Sequence, residues 1–88
     1  MQAVPNLLGP LESELQRERA SALGRAGVEL EKAMAAWQAA RADGGDVEGT
    51  RREAQKRLWY LVVQREALGL NRHRELYEIY GIPRAWWL

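Results

Sequence analysis

The sequence predicts an all-α protein, and three features carry that prediction. Ala, Leu, Glu and Arg dominate while Thr and Ile are scarce, a composition with high intrinsic helix propensity. From Leu11 to about Ala42 nothing stops a helix. Within that stretch Leu23, Ala26, Leu30, Ala33, Trp37 and Ala40 recur at spacings of three and four, the seam of a helix packed along its length. Asp43-Gly44-Gly45-Asp46 then offers glycine for the left-handed close of one helix and aspartate as N-cap of the next. So short a connection makes the flanking helices antiparallel neighbours.

Taken in order, Met1 to Gly9 reads as an irregular arm, because Pro5 and Asn6 interrupt regularity. Leu7 and Leu8 make that arm apolar enough to dock on a partner. Gly9-Pro10 is a helix start, since proline in the first turn loses no needed hydrogen bond. Glu12 and Glu14 follow, where the helix dipole favours negative charge. At ~1.5 Å per residue the first helix is roughly 48 Å long. Its interior holds Gly24 and Gly27, each costing ~1 kcal/mol relative to alanine, so some compensating close approach is expected there.

Helix two runs from about Val47 to Leu68 and is closed by Gly69. Folding at Gly44-Gly45 sets Leu30 beside Trp59, Gly27 beside Val62 and Gly24 beside Arg65. The expected helix-contact set is therefore Gly24, Gly27, Leu30, Trp59 and Val62, with the glycines making room for the bulk of helix two. A shorter third helix lies between Leu70 and Gly81, with Asn71 as N-cap and Leu76, Ile79 and Tyr80 as the buried stripe. Pro83 opens a last turn that ends in Trp86-Trp87-Leu88. Two terminal tryptophans are expected to dock into a groove of this chain or a neighbour, and Trp86 and Trp87 join Leu7 and Leu8 as candidate partner contacts.

Leu58-Trp59-Tyr60-Leu61-Val62-Val63 is a run of six apolar residues, so every direction around its axis carries something that prefers burial. A single domain of 88 residues has a marginal core of its own. The expected solution is a second copy covering the bare face, giving a dimeric helical bundle. Arg65 continues the line of Leu58 one heptad on and must be paired or reach water. Glu18, with Glu14 beside it on the acidic helix, is the expected partner in a buried ion pair that fixes register or oligomeric state, and a ligand-anchoring arginine is the alternative.

Several classes of chemistry find no support. The chain has no cysteine, which removes disulfides and thiolate sites. Its net charge of +1 is too small to argue alone for nucleic acid or a membrane surface. No run approaches the roughly 18 to 20 apolar residues of a membrane span, and the first ten residues lack a secretory signal pattern. A soluble, cytoplasmic protein is expected. His73 lies between Arg72 and Arg74, whose charges oppose a metal ion, and reads as a solvent-facing residue at a helix start. Ser13, Ser21 and Thr50 have no neighbouring base in the sequence pattern. No catalytic residue, metal or cofactor is expected.

Charge is uneven. Residues 1–50 carry five basic against eight acidic residues, and residues 51–88 carry eight against four. Complementarity between an acidic first helix and a basic second one explains this. The alternative is a face for a polyanion built from Arg51, Arg52, Lys56, Arg57, Arg72 and Arg74. Leu76 through Pro83 also looks like the first helix and turn of a helix-turn-helix. Only Arg84 to Leu88 follow, too short and apolar for a recognition helix.

Three blocks carry a resemblance: Glu18 to Gly27 (with its Ser-Ala-Leu-Gly-Arg-Ala-Gly run), Val63 to Leu70, and Tyr80-Gly81-Ile82-Pro83. Over about residues 11–84 the chain resembles a family of small helical bacterial proteins with no assigned function. The resemblance implies a stand-alone helical domain and supplies no activity. The functional expectation is a non-catalytic interaction or scaffold module acting as a homodimer with an unknown protein partner. A small nucleic-acid-binding regulator ranks second, and an enzyme or small-ligand carrier ranks last.

Overall fold

The computed structural model describes the backbone of residues 3–88 and the side chains of residues 11–88. Its elements are α1 (Ala3–Asp43), α2 (Val47–Ala67), α3 (Arg74–Ile79) and a closing 3-10 turn (Arg84–Trp86). The first two pack against each other as an antiparallel hairpin, as the seam and the short loop require. α1 is helical from Ala3, which corrects the irregular arm expected over residues 3–9 and the helix start expected at Gly9-Pro10. Pro5 falls in the first turn, where its missing N–H has no intrahelical acceptor to lose. The side chains of Leu7 and Leu8 lie outside the described residues.

Local chemistry sets the hairpin turn. Gly44 takes φ 75°, a left-handed conformation that costs side-chain-bearing residues energy, and the Gly45 N–H returns to the Ala40 carbonyl at 3.0 Å. Asp46 then caps α2, its carboxylate accepting from the Gly49 N–H at 2.9 Å. At the far end the Leu70 N–H reaches the Arg65 carbonyl at 2.9 Å and the Gly69 N–H the Glu66 carbonyl at 3.0 Å. This closure again uses a left-handed glycine, Gly69.

The core runs along the seam. Leu30 and Leu58 are fully buried at its centre, with Ala33, Met34, Trp37, Ala54, Leu61 and Val62 around them. Leu76, Tyr77 and Ile82 close it from a third side. The buried pair on α3 is thus Leu76 and Tyr77. Ile79, expected inside, is 77% exposed, while Tyr80 is half-buried. α3 starts at Arg74 with His73 at its N-cap position and no side-chain capping bond, so Asn71 is not its cap. With only six residues, the helix is too short for periodicity to single out a face.

The tail folds back along the hairpin. Tyr80 lies against Gly27, and Trp86 packs on Trp37 with ring centroids 4.5 Å apart. Trp87 stacks on Tyr77 at 4.9 Å, and its indole N–H donates to the Ile82 carbonyl at 3.0 Å. The Tyr77 hydroxyl donates to the Leu88 carbonyl at 3.3 Å and accepts from its N–H at 3.2 Å. Trp86 and Trp87 are therefore fitted into a groove of their own chain, one of the two dockings expected of them. Each is half-buried before any partner arrives.

Gly27 is buried, but against Tyr80 rather than α2: an added Cβ would sit 2.7 Å from the Tyr80 hydroxyl. Gly24 is exposed, with nothing within 4 Å of where a Cβ would lie. The expectation that both glycines make room for α2 fails on these two distances. The molecule is elongated, 64 × 19 × 16 Å with a radius of gyration of 17.2 Å, against about 12 Å for a compact chain of this length. The excess is the N-terminal half of α1, which runs past the end of α2. Every residue from Leu11 to Ser21 is exposed.

Candidate interaction surface

The burial of α2 is confined to one arc. Leu58, Leu61 and Val62 face α1, whereas Trp59, Tyr60 and Val63 stand on the outer arc, 53%, 41% and 41% exposed. Trp59 therefore does not belong to the helix contact expected of it, while Leu30 and Val62 do. The apolar run is solvated on the side that α1 cannot reach. Trp59 and Tyr60 lean on each other at 5.4 Å, and the Lys56 ammonium lies 5.9 Å from the Tyr60 ring. On α1, Leu11, Leu15 and Val28 are also exposed.

Between these two sets lies an open groove of about 920 Å³, bounded by α1 from Ser21 to Glu29 and by α2 from Lys56 to Gln64. Its walls mix apolar groups (Ala22, Ala26, Val28, Tyr60) with the cations Arg25, Lys56 and Arg57. Gly24 lines it too. The presence of Gln64 here, without Arg65, separates two residues that the sequence places side by side.

Arg65 does not pair with Glu18. Its Nε donates to His73 Nδ1 at 3.3 Å and its Nη2 to the Arg72 carbonyl at 2.8 Å. An Arg N–H can only donate, so His73 Nδ1 accepts and Nε2 carries the proton facing Glu66 Oε2 at 3.1 Å. Arg65, His73 and Glu66 thus tie the end of α2 to the start of α3. The His73 side chain is only 9% exposed, which corrects its reading as solvent-facing. Glu18 is exposed on the projecting part of α1, out of the reach that a buried pair needs.

The cations proposed for a polyanion face are partly engaged. Arg51 bonds Glu48, Arg57 bonds Glu53 at 2.8 Å, and Arg74 approaches Glu78 at 4.0 Å. Hydrogen bonding and charge from Arg51 hold the Glu48 carboxyl below its usual range. Arg52 and Arg72 are exposed on different elements. On α2 Arg51 and Arg57 are held by local carboxylates, and Arg72 and Arg74 lie beyond the end of α2. Within the described residues Pro83 leads into the three-residue 3-10 turn Arg84–Trp86.

Among the described residues no group of three or more His, Asp or Glu is placed to hold a metal ion. No described helix is long and apolar enough to cross a membrane. No curated protein and no solved structure matches the sequence. A family model described as a family of unknown function matches residues 5–87, a span that takes in all three sequence blocks, both long helices and the tryptophan-bearing tail. On that match the chain belongs to this family, DUF6665.

Proposed function

We propose that this chain is a non-catalytic interaction module that works as a homodimer. The observation that supports this most directly is the solvated outer arc of α2: a tryptophan, a tyrosine and a valine side by side, each at least two-fifths exposed. Single exposed apolar residues are ordinary, but a contiguous group marks a surface that another molecule covers. Leu11, Leu15 and Val28 extend the apolar surface onto α1. Aromatic residues are the side chains most enriched in interface cores.

Tyr60→Glu tests the reading. The residue is 41% exposed and helical, so the chain folds with a carboxylate there. Light scattering at micromolar concentration is expected to give twice the 10.0 kDa chain mass for the unaltered protein and the single-chain mass for the variant. An unaltered protein already at the single-chain mass at these concentrations contradicts it. The competing nucleic-acid reading requires an anisotropy signal on labelled duplex or single strand that falls steeply with salt.

A further inference from the structure

We infer that the groove between α1 and α2 receives the projecting arm of a second copy, residues 11–21, and that the two arms are exchanged reciprocally about a two-fold axis. This rests on the homodimer reading and adds one contact to it, which reaches Tyr60 of the outer arc but neither Trp59 nor Val63. The occupant follows from four features of the chain. First, every residue of the arm from 11 to 21 is exposed, Leu11 and Leu15 among them. Second, Leu11, Leu15, Glu18, Ala22, Arg25 and Glu29 fall at alternating spacings of four and three. That is the repeat of one continuous packing face, and it runs from the arm directly into the groove wall, where Ala22, Arg25 and Glu29 lie.

A face that joins the arm to its own receptor is what a two-fold contact needs, since the same patch must serve both copies. Pairing this face antiparallel with its copy about the level of Ala20 sets Leu15 beside the partner copy's Arg25 and Leu11 beside its Glu29, along the wall opposite Gln64 and Tyr60. Third, the charges complement one another. The arm holds Glu12, Glu14 and Glu18 against Arg17 and Arg19, while the groove holds Arg25 and Lys56 against Glu29, with Arg57 paired to Glu53 at its edge. Fourth, the outer rim of the groove is open at Gly24, which is exposed and has no atom within 4 Å of a would-be Cβ.

The size of the contact sets its strength. An arm of eleven residues is ~16 Å long and ~10–12 Å across, so its facing half covers roughly 250–300 Å². Arm and groove together bury roughly 550 Å² per chain, below the ~800 Å² per partner of a standard interface. Dissociation in the micromolar range is therefore expected.

Two variants test the exchange. Arg25→Glu reverses the charge of an exposed residue on the packing face and keeps a good helix former, so it folds. It is expected to weaken association at least tenfold. Because the chain lacks cysteine, Leu15→Cys and Gln64→Cys can be mixed and oxidised. A disulfide-linked dimer is expected in the mixture and in neither variant alone. An unaltered protein that is dimeric, with Arg25→Glu dimerising as well and no linked product in the mixture, overturns arm exchange and leaves the homodimer reading standing. An unaltered protein that stays a single chain through the micromolar range overturns both.

Discussion

Trp87→Ala measures how far the tail is part of the fold. The ring stacks on Tyr77 at 4.9 Å and receives the Arg84 guanidinium at 4.9 Å on its face, and its N–H holds the Ile82 carbonyl. Removing ~150 Å² of buried aromatic surface at ~25 cal/mol/Å² gives about 4 kcal/mol. That is an upper value, because the unfolded chain already hides some apolar area. About 3 kcal/mol is expected, within the usual span for truncating a buried tryptophan. For a domain of this size it lowers the melting midpoint by about 12–24 °C. Far-UV circular dichroism during urea and thermal unfolding reads both quantities, over a concentration series that separates any contribution from association. Trp87→Phe keeps the stack and loses the hydrogen bond to Ile82, for about 1 kcal/mol. Trp59→Ala, on the exposed arc, is expected to change chain stability by no more than about 0.5 kcal/mol. A Trp87→Ala loss under about 1 kcal/mol, or a larger loss at Trp59 than at Trp87, refutes the assignment of the tail to the core.

Further outcomes follow from the same geometry. Gly24→Ala raises the stability of the dissociated chain by about 0.5–1 kcal/mol through helix propensity alone. Gly27→Ala lowers it by about 1 kcal/mol, because the new methyl displaces the Tyr80 hydroxyl; chemical denaturation of the two variants side by side gives the sign of each. His73→Ala unties Arg65 and Glu66 from the α2–α3 connection at a cost of about 1–2 kcal/mol, and hydrogen exchange is expected to speed up at the end of α2 and in α3 while the α1–α2 core keeps its protection. Leu58→Ala, at the fully buried centre, costs about 2–5 kcal/mol, read from the urea midpoint.

The hairpin was legible because its signals are local. Asp46, Gly44 and Gly69 each act through their own backbone, and the three-four spacing from Leu23 to Ala40 names the buried arc of α1 without reference to anything else. The apolar run of α2 was less informative, since six consecutive apolar residues give a helix no polar back. Sequence alone does not choose between the arc of Leu58 and Val62 and that of Trp59 and Val63; the choice was made by where α1 lies. The heptad line through Leu58 points Arg65 across the hairpin toward Glu18, yet the connection after Gly69 turns His73 back onto it, a closer source of acceptors. Gly27 was read against α2 because the path of the tail, which carries Tyr80 to it, has no periodic signature. The groove had no sequence signal apart from Gly24, an unexplained glycine inside a helix.

The central claim is that the solvated apolar surface of this hairpin is covered by a second copy of the chain. Sedimentation equilibrium of the unaltered protein, from well below to well above micromolar concentration, tests it most directly. A mass rising from 10.0 kDa to twice that value across the series is the predicted result. A single 10.0 kDa species at every concentration, with Trp59, Tyr60 and Val63 still solvated, contradicts it.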